Sequence, residues 1–344
     1  MLPPIQGCFF MTFQRARIFG TGHAVPPHVL TNAELARTVD TSDEWITERT
    51  GIRQRHILAD GLGASDLATE AARNACDAAG WDPATLDCII VATVTPDSPL
   101  PSSAAHVQTK LGCRPGIAAF DITAACAGFI YGLSIADGFI KTGQFKRVCV
   151  IGVEVLSRIV DWTDRNTCVL FGDGAGAVVL GTDGPAKGAS DRGLLSTHIY
   201  ADGRGAEHLC IPAGGSCKPA SAATVAEGLH FVHMNGRQVF ANAVRNMTAA
   251  CDEALKANGA TVADVDHVVA HQANMRIIEQ VAEHCALPLD KFVLNLERFG
   301  NTSSASIPIA LDEAARAGRF KEGDTILMCA LGAGFAYGSA YLRW

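Results

Sequence analysis

Three side chains suited to chemistry on a carbonyl group stand where apolar, strand-like runs end: Cys126, His271 and Asn301. Cys126 lies in D-I-T-A-A-C-A-G-F (121–129), between a short strand-like run and an almost wholly apolar helix-like run. A thiol at a helix N-terminus meets the positive end of the macrodipole, which favours the thiolate, the form that attacks. Its neighbours Ala124, Ala125, Ala127 and Gly128 allow a tight turn and a close approach by substrate. The plainer reading is one more small core residue in a chain with twelve cysteines, and position is what sets Cys126 apart. His271 ends the run H-V-V-A-H and is followed by Gln272, Ala273 and Asn274, a helix start. Its neutral ring could polarise a carbonyl through Nε2–H or take a proton, and it could equally be a satisfied structural donor. Asn301, in R-F-G-N-T-S-S-A-S, reads on its own as turn and cap chemistry. Its amide could also donate to an oxyanion.

The elements that must position these residues are legible as a repeat. A-C-D-A-A-G-W-D-P-A-T-L-D (75–87) and A-L-K-A-N-G-A-T-V-A-D-V-D (254–266) each read as a helix end, a glycine, a connector and an aspartate. Gly80 and Gly259 suit the left-handed position that closes a helix. A β-branched run follows each, C-I-I-V-A-T-V and H-V-V-A-H. Next come a helix-like run (103–111; 275–285) and a strand (117–122; 292–296). A long helix-like run closed by T-G-Q-F-K or A-G-R-F-K leads to V-C-V-I-G-V or T-I-L-M-C-A-L. Helices alternating with apolar strands predict parallel strands joined by crossovers, and two halves in the same order predict a duplication. The expected division is an extension over 1–13, a first half over 14–185 with the cysteine, and a second over 186–344 with the histidine and asparagine. Loops at the carboxyl ends of strands in open α/β sheets gather at one site. The loops after Ile122, Ala270 and Leu296 carry Cys126, His271 and Asn301.

Bulk properties narrow the class. A chain of 344 residues, 48% hydrophobic and 18% charged, suits two fused halves around a large interior. A net charge of −7 with no basic stripe argues against nucleic acid. No apolar run approaches the ~20 residues that span a bilayer, so no membrane role is expected. The start M-L-P-P-I-Q-G-C-F-F-M lacks a basic n-region, so it reads as an extension ahead of Met11 rather than a signal peptide. Cys88, Cys149 and Cys329 lie inside apolar runs, and no zinc-type spacing occurs, which predicts a reduced cytoplasmic protein without a metal. F-G-D-G-A-G-A (171–177) looks like a phosphate loop but lacks the Walker lysine and runs into a strand. It reads as a tight strand-to-strand turn beside the site. L-G-A-G-F-A-Y-G-S-A-Y-L reads as a hairpin whose small residues could bring a backbone N–H to the reacting centre.

The motifs T-S-D-E-W-I-T-E-R-T-G-I, D-I-T-A-A-C-A-G-F, F-G-D-G-A-G-A, H-Q-A-N-M-R-I-I, F-G-N-T-S-S-A-S-I-P and G-A-G-F-A-Y-G-S-A occur in that order. Together they resemble the thiolase-like condensing enzymes, and within them the β-ketoacyl-acyl-carrier-protein synthase III family, over 14–344. The resemblance implies an α/β, duplicated thiolase-like fold: two similar halves, each with a mixed, largely parallel sheet, in five layers, α-β-α-β-α. It implies that Cys126 takes an acyl group from acyl-CoA, with acetyl-CoA the expected starter. Malonyl-acyl carrier protein then loses CO₂ and condenses, giving a 3-ketoacyl product, without metal or redox cofactor. His271 and Asn301 would donate to the malonyl thioester carbonyl, and backbone N–H groups of Cys126, Ala333 and Gly334 would hold the acyl oxyanion. Trp45, Arg49 and Arg165 match CoA contacts, and Leu100 matches the residue that reaches across a homodimer to the partner's acyl pocket. Arg276 matches a carrier-protein docking residue, although Glu279, Glu283 and His284 follow where relatives usually add basic residues. The same triad also serves relatives that load a polyketide or secondary-metabolite starter.

Overall fold

The computed structural model describes residues 15–182 and 192–344. The expected extension over 1–13 and the expected boundary at 185/186 lie outside the described residues. Two sheets organise the chain. In the first, β1 (Arg17–Ala24), β2 (Cys88–Ala92), β3 (Ala118–Ile122), β4 (Val148–Glu154) and β5 (Gly174–Gly181) lie in the order β1-β5-β4-β2-β3. β2 pairs in parallel with β3 and β4, whereas β5 runs antiparallel to β4 and β1. In the second, β6 (Gly193–Tyr200), β7 (His267–Ala270), β8 (Thr325–Leu331) and β9 (Tyr337–Arg343) lie in the order β7-β8-β9-β6. β7 and β8 are parallel, and β9 is antiparallel to β8 and β6, so the second sheet repeats the pattern of the first.

The repeat is incomplete in one place. The strand expected over 292–296 is a single bridge between Phe292 and Val268, followed by a one-turn helix at Leu296–Phe299. The buried side chain of Gln272 is the reason. Its Nε2 donates to Val293 O at 3.1 Å and its Oε1 accepts from Asn295 N at 3.2 Å, so backbone groups that would extend a ladder are already satisfied.

The main helices are α1 (Asp43–Thr50), α2 (Ala64–Ala79), α3 (Ser103–Leu111), α4 (Gly128–Lys141), α5 (Gly236–Ala257), α6 (Met275–His284) and α7 (Ser306–Arg316). α2 and α3 cover the outer face of the first sheet, and α5, with α6 against it, covers the second. α4 and α7 lie between the sheets and touch both, which gives the five layers the motifs imply. Burial from both sides explains why α4 is apolar nearly all round: Phe129, Ile130 and Leu133 are fully buried. Each contributes about 1.5–3 kcal/mol of transfer free energy. Gly132 lets α4 sit down on β4, because a Cβ there would come within 2.7 Å of Val150 Cγ1.

A buried carboxylate ties the halves. Asp312 of α7 is fully buried and accepts from Thr21 Oγ1 at 2.6 Å and Arg316 Nε at 2.7 Å, with His23 Nδ1 at 2.5 Å. Thr21 and His23 lie on β1. The layers are therefore joined by charge-assisted hydrogen bonds as well as by apolar contact.

Candidate active site

Each sheet feeds a middle helix through the same kind of turn. After β3 the chain passes through Ala125, at φ 45°, into a 3-10 turn at Ala125–Ala127 and then α4. In the second half Ser303, at φ 49°, opens a 3-10 turn at Ser303–Ala305 and then α7. The left-handed conformation costs an ordinary residue of order 1–2 kcal/mol, so two equivalent instances mark positions where the fold enforces the turn. Cys126 occupies the second residue of its turn, and its counterpart is Ser304.

Cys126 is 8% exposed. Burial pushes its thiol up to about 12, and the Glu154 carboxylate adds to the rise. The Ser303 hydroxyl and the residue's own N–H act in the opposite direction. Burial thus opposes the stabilisation of the thiolate expected from the helix start. Gly332, at the end of β8, lies against the same turn. A Cβ there would stand 2.5 Å from Cys126 N and 2.9 Å from Ala125 Cβ. The hairpin read in L-G-A-G-F-A-Y-G-S-A-Y-L is present as β8 and β9, and Ala333 and Gly334 lie in its turn.

His271 follows β7, its N–H bonded to Cys329 O at 2.8 Å, and is 2% exposed. Burial pulls its pKa down to about 3, so the ring is neutral at any working pH. Nδ1 lies 2.7 Å from Ser306 Oγ, and that oxygen also receives the Gln272 N–H at 3.4 Å. The Ser306 oxygen has lone pairs for both partners, so the contact fits either ring tautomer, and the one in which Ser306 donates to Nδ1 carries the ring hydrogen on Nε2. Of the two roles open from the sequence, that tautomer serves the donor and the other serves the base.

Asn301 fulfils the turn reading and keeps its amide free for another role. Its Oδ1 accepts from Ser303 N at 2.8 Å, an Asx-type turn, and this leaves Nδ2 as the remaining donor. Its backbone bridges Phe171: Asn301 N donates to Leu170 O and Gly172 N donates to Asn301 O. F-G-D-G-A-G-A is accordingly the entry to β5, pinned beside Asn301, and not a tight turn between strands. Buried Asp173 anchors it by accepting from Leu58 N and from Ser157 N and Oγ.

Cys126, His271 and Asn301 line one cavity of about 1220 Å³, and so do Trp45, Arg49 and Arg165. The guanidinium of Arg49 lies 4.6 Å from the Trp45 ring centroid and that of Arg165 lies 4.7 Å from it. Leu331 also faces the cavity, immediately before the Gly332-Ala333-Gly334 stretch. Leu100 stands apart, 81% exposed, and Arg276 is exposed in the first turn of α6. Among the described residues, no cluster of three His, Cys, Asp or Glu is arranged to hold a metal ion, and no helix is long and apolar enough to cross a membrane.

Three polar neighbours escaped the reading of the sequence: Ser306 beside His271, Ser303 beside Asn301, and Glu154, which accepts from Ser303. Glu154 had a signal, an acid inside the apolar run V-C-V-I-G-V-E-V-L, because a buried charge must be paired or hydrogen-bonded. The two serines had none that separates them from neighbouring turn residues.

Comparison with known proteins identifies the family. Residues 120–203 match the sequence profile of 3-oxoacyl-[acyl-carrier-protein (ACP)] synthase III, and 255–344 match that of its C-terminal part. A β-ketoacyl-[acyl-carrier-protein] synthase III of Paramagnetospirillum magneticum is 53% identical over 329 residues, covering 96% of this chain and 99% of that protein. One from Caldanaerobacter subterraneus is 51% identical, covering 96% and 98%. The crystal structure of 3-oxoacyl-[acyl-carrier-protein] synthase III from Aquifex aeolicus superposes with a TM-score of 0.87 at 46% identity, covering 96% of this chain and 100% of that one. The chain belongs to the 3-oxoacyl-[acyl-carrier-protein] synthase III family, the thiolase-like condensing acyltransferases that carry out the initiating condensation of fatty-acid synthesis.

Proposed function

We propose that Cys126 attacks the thioester of acyl-CoA, with acetyl-CoA the preferred starter, and becomes the acylated residue. Backbone N–H groups of Cys126 and of the Ala333–Gly334 stretch hold the oxyanion, and CoA leaves as the thiol. Malonyl-acyl carrier protein then enters. Nε2–H of His271 and Nδ2–H of Asn301 donate to its thioester carbonyl, where charge develops as CO₂ departs. The carbanion attacks the Cys126 acyl carbon, and the 3-ketoacyl product leaves on the carrier protein. Covalent capture divides one difficult step into two easier ones.

The observation that carries this reading is the single cavity shared by the triad and by the Trp45, Arg49 and Arg165 stack. Indole and guanidinium planes suit a purine, and the arginines suit phosphate. Neutral His271 supports a donor role, since a charged imidazole would not persist in so buried a site. We place the carrier protein at Arg276 and the enzyme in the cytoplasm, and we divide the chain into units of 14–185 and 186–344. We infer a homodimer in which Leu100 reaches the partner's acyl pocket. A leucine 81% exposed and an outer edge on β3 support that arrangement.

Intact-protein mass spectrometry after exposure to a panel of acyl-CoAs tests the nucleophile and the starter together. The expected result is one acyl adduct per chain that is absent in Cys126→Ala. An adduct that persists in Cys126→Ala would refute the assignment.

A further inference from the structure

Arg55, the middle residue of the short strand Gln54–His56, is fully buried. Burial pulls its pKa down to about 10, so the guanidinium is charged near neutrality. Its Nη2 donates to Val169 O at 2.8 Å and its Nη1 donates to Leu30 O at 3.2 Å. Among the described residues no carboxylate pairs with it, and Nε has no hydrogen-bond partner. A cation taken out of water without a counter-ion is costly, and two backbone carbonyls offset that cost only in part. An apolar side chain of similar size would fill the space without it, so packing alone does not account for the charge.

The carbonyl that Arg55 grips leads to the active site. Val169, Leu170 and Phe171 all line the cavity that holds Asn301. Leu170 O accepts from Asn301 N at 2.8 Å, and Asn301 O accepts from Gly172 N at 3.1 Å, on either side of the bridge at Phe171. Asn301 lies between the one-turn helix Leu296–Phe299 and the turn at Ser303–Ala305, so this bridge is what fixes its backbone. The bridged segments close around Arg55. A Cβ on Gly172 would stand 3.0 Å from Arg55 Cβ and 2.4 Å from Phe299 O. One on Gly300, at φ 65°, would stand 3.4 Å from Arg55 Cβ and 2.8 Å from Leu170 O. Two glycines on facing segments therefore leave room for the arginine. Its own strand is tied to both segments: Arg53 N donates to Glu297 O at 2.9 Å, and Asp173 N donates to His56 O at 2.9 Å.

We propose that Arg55 is a positioning residue for Asn301: by holding Val169 O it fixes the 169–172 segment, and through that segment it sets where the Asn301 amide points in the cavity. The bond to Val169 O is charge-assisted and so stronger than a neutral one. The bond to Leu30 O anchors the other end of the guanidinium in the strand Val29–Thr31. Because Asn301 Oδ1 is held by Ser303 N, the amide has little freedom to compensate when its backbone shifts. Arg55 does not line the cavity, and neither of its hydrogen bonds reaches the turn at Ala125–Ala127. Its loss is therefore felt in the step that uses Asn301 and not in the acylation of Cys126. The proposal rests on the reading in which Cys126 is acylated and Asn301 donates as CO₂ departs.

The test separates the two half-reactions. Acylation is the rate of adduct formation from acetyl-CoA without carrier protein, read by quench and mass spectrometry. Decarboxylation is the single-turnover release of labelled CO₂ from carboxyl-labelled malonyl-acyl carrier protein on acetylated enzyme. Arg55→Met fills the space with an apolar chain and removes the donors. It is expected to slow decarboxylation about 10²-fold, the scale of a 1 Å misplacement at a reacting group, and to leave acylation within about threefold. Arg55→Lys keeps the charge and one donor, and is expected to slow decarboxylation only about tenfold. In an Asn301→Ala background Arg55→Met should cost little more, because the two residues act along one line. An equal fall in both half-reactions, no fall in either, or a full further loss in the Asn301→Ala background overturns the proposal. Arg55→Lys decides if Arg55→Met does not fold, and failure of both to fold overturns it in favour of a role in folding alone. A wild type that forms no adduct, or an Asn301→Ala enzyme that releases CO₂ at the wild-type rate, would instead overturn the proposed function.

Discussion

Gly332→Ala probes a close contact between the two halves of the site. A Cβ at Gly332 would lie 2.5 Å from Cys126 N, 2.9 Å from Ala125 Cβ and 3.2 Å from Ala124 O, and real Cβ atoms essentially never come within 3.0 Å of such neighbours. One side must therefore move by at least about 0.5 Å, and by nearly 1 Å for an ordinary carbon–nitrogen contact. Neither side yields readily. Gly332 N is bonded to Ala336 O at 2.8 Å across the β8–β9 hairpin, and Cys126 leads into α4, which is packed between both sheets. A displacement of that size at a reacting group is worth about 10²-fold in rate. The expected outcome is a fall of about 10- to 100-fold in acyl-adduct formation from acetyl-CoA, with a smaller loss of thermal stability. Gly138→Ala, on the exposed face of α4 with nothing within 4 Å of a new Cβ, serves as the control and should acylate normally. Wild-type acylation by a folded Gly332→Ala protein would refute the claim that this glycine sets the position of the Cys126 backbone.

Two other outcomes follow from different parts of the fold. Trp45→Ala removes the stacking plane and should raise the KM for acyl-CoA about tenfold, with little change in the rate at saturation. An unchanged KM in steady-state assays would remove Trp45 from the binding surface. Asp312→Asn should destabilise the protein by about 3 kcal/mol at pH 7, read from denaturant unfolding. Burial raises the Asp312 pKa, but bonds from His23, Thr21 and Arg316 outweigh it and hold the carboxyl below the usual carboxylate range. Its contribution is present above the usual carboxylate range and is lost as pH falls below that range through the lowered folded-state pKa, so the two unfolding curves should converge in acid.

Much of the fold was legible because it follows from periodicity. The extents of α3, β3 and α6 fell within a residue or so of the runs read from the sequence, since each is a strongly patterned segment between clear stops. The strand expected at 292–296 was lost to a side chain distant in sequence, Gln272, whose grip on Val293 and Asn295 leaves no local trace. Cys126, His271 and Asn301 stood out because strand ends, a repeat and an ordered set of motifs coincide on them, and the fold brings all three to one cavity. The state of the thiol was not legible. Dipole and burial oppose one another at Cys126, and only coordinates reveal how deeply the turn is buried. The Ser303 and Ser306 hydroxyls were invisible for a similar reason: a serine in a run of serines declares no partner until the second half folds against the first.

The stack at Trp45 has a consequence for ligand choice. Two guanidinium groups already lie over the indole, and Arg165 Nη1 also donates to Asp40 O at 2.8 Å. A purine that settles on the ring must take the place of one cation, so its arrival is an exchange and its affinity a difference between two stacking interactions. The displaced arginine then needs a new anion nearby. A ligand that carries phosphate next to its base supplies that anion, whereas a bare nucleoside does not. The platform should therefore discriminate by charge as well as by shape, admitting phosphorylated adenosines and leaving uncharged ones in solution.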